Sequence, residues 1–280
     1  MDRNDPRFPY VFQLIAFVLL AGLPAGARET AAEAKNGQGT VTPVARPGGS
    51  AASTHAESSS GVSERALVKN IWVDQKQIWR APLHGSSYRP GFILPFAAAT
   101  AALIATDKQV GRELTEGPPR AGFNAGRDIS YLGSAEAVIG FSCAYYAFGR
   151  LAHREKARQT GLLSLEALAD SGIVVGILKA TSQRERPAGP NGAPIDAARG
   201  RFWAGGADFP SGHAISVWTL ASVFSESYAD KPTVKYTAYG MAGLVSVSRL
   251  AARQHFPSDV VVGGVLGYLI GHYVIRAHRR

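Results

Sequence analysis

Six apolar segments, all downstream of Pro90, set the strongest limit on what this chain can fold into. Alanine, leucine, valine and glycine dominate these segments, and none shows the alternation of apolar and polar residues that indicates a half-buried strand. The segments cover residues 91–106, 131–150, 159–179, 211–228, 233–249 and 258–276. The chain is therefore predicted to form an all-α, six-helix bundle.

The connections between these segments alternate in length. Short polar turns at 153–158 and 230–235 join the second segment to the third and the fourth to the fifth. Long loops rich in glycine and proline, at 107–127 and 182–209, join the first segment to the second and the third to the fourth. The long loops thus share one end of the bundle, where segments three and five end and segments four and six begin. Because binding and catalytic residues concentrate on loops held by a rigid scaffold, we expect a functional site at this end.

Charged and polar residues collect at that same end. Taken singly, each has an ordinary structural explanation, such as a basic residue at a helix C-terminus or a proline at a helix start. Together they bring three cations, two histidines, a carboxylate and a helix N-terminus to one place, and crowded cations are unfavourable without an anion. The free backbone N–H groups of Ser211 and Gly212 would add an anion cradle. The site is predicted to bind a tetrahedral oxyanion, most simply phosphate, through Lys179, Arg186, Ser211, Gly212, His213, Arg249, His255 and Asp259.

The last segment opens with a histidine and an aspartate around a proline. Pro257 suits the first turn of a helix, where its missing N–H has no partner to lose. Asp259 would then lie in the first turn and reach back, as the acidic residue of a capping box does. A carboxylate that holds one nitrogen of His255 fixes the tautomer and leaves the other nitrogen as a nucleophile. The alternative is a purely structural cap.

These residues form three motifs in order: Lys179-x6-Arg186-Pro187, then Pro210-Ser211-Gly212-His213, then Ser248-Arg249-x5-His255-x3-Asp259. In this order and spacing, the chain resembles the phosphatidic acid phosphatase type 2 family, whose fold and site are shared with bacterial class A acid phosphatases and vanadium haloperoxidases. The resemblance covers about residues 64–280. It implies the six-helix bundle of that family, here with an extra N-terminal amphipathic helix.

The resemblance also implies a role for each site residue. His255 is the nucleophile that forms a phosphohistidine, Asp259 orients it, and His213 protonates the leaving oxygen before activating water. The phosphate-binding residues are Lys179, Arg186, Ser211, Gly212 and Arg249. The family's reaction needs no metal or other cofactor. The expected function is hydrolysis of phosphate monoesters: lipid phosphate, pyrophosphate or a soluble ester.

Two other functions remain open from the sequence. The same residues hold vanadate in haloperoxidases, although those enzymes are typically much larger than 280 residues. The second alternative is a catalytically idle, anion-binding envelope protein. The presence of His213, His255 and Asp259 together argues against it.

The N-terminal third differs from the rest. Residues 1–27 resemble a secretory signal, with Arg3 and Arg7 before an apolar run; an uncleaved anchor is the alternative. Residues 28–63 are predicted to be a disordered linker, because their small polar residues cannot bury enough surface to order the chain. Residues 64–280 form the predicted catalytic domain. Its first part, 64–80, has helical periodicity and is expected to pack on the core or to lie at a membrane surface.

Charge and cysteine content limit the partners. The net charge of +9 suits anionic partners, and because no nucleic-acid motif is present, phosphate esters or an anionic membrane surface are favoured. The single cysteine, Cys143, excludes an internal disulfide and is expected to be buried.

Location and substrate depend on each other. Several segments are only about 16 residues long, shorter than a usual span, and acidic residues interrupt them, which favours an exported periplasmic domain that is soluble or membrane-associated. Basic residues in the short turns instead favour an integral membrane protein with a periplasm-facing site. Lipid phosphate would be the substrate of an embedded enzyme, and soluble esters that of a soluble one.

Overall fold

The computed structural model describes residues 63–80, 90–115, 122–189 and 200–278. The predicted signal at 1–27 and all but the last residue of the predicted linker at 28–63 lie outside these ranges. Within them, the chain contains helices and turns, which confirms the all-α prediction.

Eight α-helices follow one another in the described residues. The six longest correspond to the six predicted segments. A single 3-10 turn at Glu64–Ala66 precedes the first helix. The helices are α1 (Leu67–Arg80), α2 (Pro90–Thr115), α3 (Phe123–Tyr131), α4 (Ala135–Leu151), α5 (Glu155–Ser182), α6 (Gly212–Ser227), α7 (Pro232–Ala251) and α8 (Pro257–His278).

The prediction of a long loop at 107–127 was wrong. Helix α2 continues to Thr115, and α3 begins at Phe123. The apolar pattern ends near residue 106, but Asp107 on this extension is fully buried, because it binds residues of the site described below. A buried polar residue therefore breaks the apolar pattern without ending the helix. The expectation for Cys143 was also wrong, since this side chain is exposed on α4.

Local sequence explains where the helices begin and end. The Ser134 side chain caps α4 by accepting a hydrogen bond from the N–H of Ala137 at 3.2 Å. Helix α5 ends where Gln183 adopts a left-handed conformation with φ 45°. Prolines occupy the first positions of α7 and α8, where the missing N–H costs no helical hydrogen bond.

Helix α8 is the centre of the bundle and packs most closely against α6. Three glycines of α8, at positions 263, 267 and 271, face the α6 backbone. A Cβ atom added at Gly267 would lie 2.2 Å from the carbonyl oxygen of Ile215, and one at Gly271 would lie 2.6 Å from that of Thr219. Only glycine, which has no Cβ atom, allows the two helices to approach so closely. This contact fixes the starts of both helices relative to each other at the site.

We expect Gly267→Ala to lower the free energy of unfolding by about 2–3 kcal/mol, because the new methyl group forces α6 and α8 apart. The matched control is Gly240→Ala on α7, where a Cβ meets nothing within 4 Å. That variant should be neutral or slightly more stable, since alanine favours the helix over glycine. Urea unfolding of both variants measures the difference; equal stabilities would contradict close α6–α8 packing.

Helix α1 lies on the bundle through one face. Ile78 is fully buried in the main core cluster, and Trp79 packs against the edge of that cluster. On the opposite face Trp72 is 63% exposed. Helix α1 contacts α5 through Gln75 and α8 through Asp74, and both residues are buried.

Candidate active site

The ends of α5 and α7 and the starts of α6 and α8 meet as predicted. The N–H of Ser211, which caps α6, donates a hydrogen bond to the carbonyl oxygen of Asp259 in α8 at 3.0 Å. Arg184, two residues beyond the end of α5, donates to the side chain of Asp259. Arg249, near the end of α7, is buried at the same end and donates to Ser130 of α3.

His255 lies in the turn between α7 and α8 and is almost fully buried. Its Nδ1 atom is 3.1 Å from Oδ1 of Asp208 and 3.6 Å from Oδ2 of Asp259. Two carboxylates therefore face the same ring nitrogen. This arrangement favours a proton on Nδ1 and leaves the lone pair on Nε2.

Asp259 reaches back to the turn before α8, as its position in the sequence predicts. Its Oδ2 atom accepts a hydrogen bond from the backbone N–H of Phe256 at 2.8 Å. Its Oδ1 atom accepts one from Arg184 at 2.6 Å. With both oxygens held in this way, the carboxylate has a fixed orientation beside His255.

Arg184 was not identified from the sequence, although it lies two residues before the motif residue Arg186. Its side chain is 1% exposed and joins two buried carboxylates, donating to Asp259 and, at 2.7 Å, to Oδ2 of Asp107. The guanidinium also lies 4.4 Å from the ring centroid of Phe256, in cation–π contact. Asp107 in turn accepts hydrogen bonds from the backbone and side chain of Ser258, at the start of α8. These contacts position the whole turn that carries His255.

Asp208 was also missed. It is fully buried two residues before the Pro210-Ser211-Gly212-His213 motif, and Nε of Arg186 lies 3.2 Å from its Oδ1. Burial alone raises the pKa of the Asp208 carboxyl, but His255 and Arg186 outweigh it and hold that pKa below its ordinary value. Asp208 is therefore ionised at neutral pH. A signal was available, since an acidic residue directly before a motif that ends in histidine is a candidate partner for the site.

The cations surround His213 at the first turn of α6. Burial lowers the pKa of His213 to about 3, and the positive charges of Arg249, Lys179 and Arg186 act in the same direction. The imidazole is therefore neutral while the site holds no anion. The five predicted basic residues thus lie around one location in the structure.

The predicted phosphate-binding cations differ in their hydrogen-bond partners. Lys179 donates to the carbonyl oxygen of Ala207 at 2.6 Å, and Nε of Arg249 is buried without a hydrogen-bond partner. A buried guanidinium N–H without an acceptor is costly. A bound oxyanion would supply the acceptor.

One part of the predicted anion cradle requires correction. The N–H of Ser211 is not free, because it donates to Asp259, and the Ser211 side chain accepts from the N–H of Ala214 at 3.4 Å as the cap of α6. Gly212 is different, since a Cβ there would meet only Lys179, at 3.8 Å. The cradle is thus open at Gly212, while Ser211 links α6 to α8.

Asp208, His255 and Asp259 have the geometry of a metal site, with one ligand atom from each within 4.8 Å of the others. Arg184 and Arg186 already neutralise the two carboxylates, and Lys179 and Arg249 add further positive charge nearby. The charge around the group therefore favours an anion over a cation.

Comparison with known proteins supports the family resemblance. Residues 160–280 match the sequence model of the PAP2 superfamily. A lipid A 1-phosphatase of Porphyromonas gingivalis is 31% identical over 64 residues, which are 22% of this chain and 14% of that protein. The matched stretch is therefore a small part of that relative.

A solved structure shows the same fold. A transmembrane PAP2-type phosphatidylglycerolphosphate phosphatase from Bacillus subtilis superposes with a TM-score of 0.50, covering 66% of this chain and 94% of that one at 21% identity. LpxE from Aquifex aeolicus gives a TM-score of 0.46 over 61% of this chain and 94% of its own, at 23% identity.

Two of the described helices, α5 and α8, are long and apolar enough to cross a membrane. Most of each apolar stretch is buried inside the bundle, as is also true of the core helices of soluble proteins.

Proposed function

Because residues 160–280 match the PAP2 superfamily, we propose that this chain is a phosphatase that hydrolyses phosphate monoesters through a phosphohistidine at His255. The observation that carries this proposal is the position of Nδ1 of His255, which faces Asp208 and Asp259. With the proton held on Nδ1, Nε2 has the lone pair that a nucleophile needs.

In the first step, Nε2 of His255 attacks phosphorus, and the bond from phosphorus to the ester oxygen breaks. The leaving oxygen takes a proton from His213. Lys179, Arg186 and Arg249 neutralise the non-bridging oxygens, with the N–H of Gly212 as a further donor. In the second step, His213 removes a proton from water, which attacks the phosphohistidine and releases phosphate. These side chains supply the positive charge for both steps, and the proposal includes no metal or other cofactor.

The protonation of His213 follows from the charge of the substrate. Without an anion, the surrounding cations keep this histidine neutral. A bound phosphate monoester brings up to two negative charges into the same place, which offsets the cations and allows His213 to bind a proton. Substrate binding thereby converts His213 into the general acid of the first step.

We propose a lipid phosphate as the substrate class, because the bundle exposes apolar side chains outside the site. Helices α4 and α7 expose large apolar residues to an extent that is unusual for a soluble bundle. They are Ile139, Phe141, Phe148, Leu151, Tyr236, Met241, Leu244 and Val247. A lipid surface would cover these side chains.

The test is phosphate release by the purified full chain from two substrates. One is phosphatidic acid in detergent micelles, and the other is p-nitrophenyl phosphate in solution. The proposal predicts release from both, with kcat/KM at least tenfold higher for the lipid. Hydrolysis of the soluble ester alone would overturn the lipid proposal and keep the phosphatase; release from neither would overturn both.

A further inference from the structure

A second group of ionisable residues lies far from His255. It consists of Asp74 on α1, Glu166 and Asp170 on α5, and His278 at the end of α8, and is called the α1 cluster below. Glu166 precedes Lys179 by 13 residues, which is about 20 Å along a helix. His278 follows Asp259 by 19 residues, about 28 Å along α8. The α1 cluster is thus separate from the candidate active site.

His278 lies at its centre. Its Nε2 atom is 2.8 Å from Oδ2 of Asp74 and 3.2 Å from Oε1 of Glu166. One ligand atom from each of these three residues lies within 4.8 Å of the other two. The carboxyl group of Asp170, one helical turn beyond Glu166, is close enough to interact with that of Asp74.

Each carboxylate has one oxygen held from outside the cluster. The hydroxyl of Tyr273 donates to Oδ1 of Asp74 at 2.7 Å, and the amide of Gln75 donates to Oδ1 of Asp170 at 2.7 Å. The Asn70 amide approaches Oε2 of Glu166 at 3.4 Å. Such outer partners orient carboxylates in metal sites.

Oε1 of Glu166 and Oδ2 of Asp170 are buried and accept no hydrogen bond, and the ion-pair partner of Oε1 of Glu166 that the described residues show is the imidazole of His278, at 3.2 Å. The two fully buried carboxyl groups of Asp74 and Glu166 face the single imidazole of His278, and the buried carboxyl group of Asp170 lies beside Asp74. An unpaired buried carboxylate is costly, and a divalent cation would both balance the charge and use the unpartnered oxygens.

We propose that the α1 cluster binds one divalent transition-metal ion, with zinc favoured, through Asp74, Glu166 and His278, and with Asp170 as a further oxygen ligand. One imidazole nitrogen with carboxylate oxygens suits zinc or manganese, whereas calcium and magnesium prefer oxygen ligands alone. The side chain of His278 is 17% exposed, which gives the ion a route from solvent. The ion would fasten α1, which lies outside the residues matched by the superfamily model, to α5 and α8.

The experiment measures metal binding by the chelator-stripped full chain. We expect one equivalent of zinc by calorimetry, weaker binding of manganese and no comparable binding of magnesium or calcium. Bound zinc should raise the melting temperature by about 5 °C, since a ligand that binds only the folded state stabilises it. Phosphate release well below the melting temperature should be unchanged by the chelator.

Matched variants assign the site. Glu166→Gln and His278→Gln should each weaken zinc binding at least tenfold and remove the thermal shift, while Asp230→Asn, an exposed acid paired with Lys156, should bind as the wild type does. Asp208→Asn changes the other possible metal group and should also bind normally. Absence of zinc binding, or binding that is lost in Asp208→Asn and kept in Glu166→Gln, would overturn the proposal. If Glu166→Gln fails to fold, His278→Gln and Asp170→Asn decide the same question.

Discussion

Replacement of His255 by alanine should lower phosphate release by about four orders of magnitude while phosphate still binds. The loss is large because the variant has no nucleophile to form the phosphoenzyme, and the remaining base, His213, is placed to activate water only against that intermediate. Lys179, Arg186 and Arg249 remain in place, so the dissociation constant of phosphate should rise less than tenfold. Steady-state kinetics and calorimetry with phosphate measure the two effects separately.

The control for this variant is His272→Ala, which removes another buried histidine, located on α8. His272 pairs with Glu226, far from the candidate active site. Activity per folded molecule should stay within about twofold of the wild type, because no step of the proposed reaction uses this side chain. Full activity in His255→Ala, or equal losses in the two variants, would contradict the nucleophile assignment.

Replacement of Arg184 by methionine should cost about 3–5 kcal/mol of folding free energy, the range measured when one partner of a buried ion pair is removed. The methionine fills a similar volume, but Asp107 and Asp259 lose the cation that joins them in a dry environment. Asp259 also loses one of the two contacts that orient it, so activity should fall even in the folded fraction. Urea unfolding and phosphate release by the folded variant measure both effects.

Arg186→Met is the matched control, two residues away and with the same change of side chain. Arg186 is 54% exposed and pairs with Asp208, so its loss should cost less than about 1 kcal/mol of stability. Its effect should appear in KM and kcat, because it is proposed to contact phosphate. If Arg184→Met were as stable as Arg186→Met, the buried network would not hold the turn that carries His255.

The sequence predicts part of the site well. Pro257 and Asp259 have a local signature, since a proline opens a helix and a carboxylate in its first turn reaches back. The structure confirms both the helix start and the hydrogen bond from Phe256 to Asp259. Contacts of this kind are predictable because they join residues a few positions apart.

Arg184 and Asp107 could not be found in the same way. They are 77 residues apart, and their ion pair exists only because the extension of α2 passes beside the start of α8. The extension of α2 was predicted to be a loop for the same reason. The residues after position 106 are polar, and their buried partners lie far away in the sequence. Apolar periodicity reports which face of a helix meets the core, but it does not report a helix turn whose buried residue is an aspartate.

Trapping of the phosphoenzyme would show directly whether His255 is the nucleophile. The full chain is mixed briefly with a ³²P-labelled phosphate monoester, quenched in alkali, and digested with trypsin. We expect a label that is stable in alkali and labile in acid, carried by the peptide from Gln254 to Arg276, and absent from the His255→Ala protein. Steady hydrolysis without such a label, or the same label in the alanine variant, would contradict the proposal that His255 is the nucleophile.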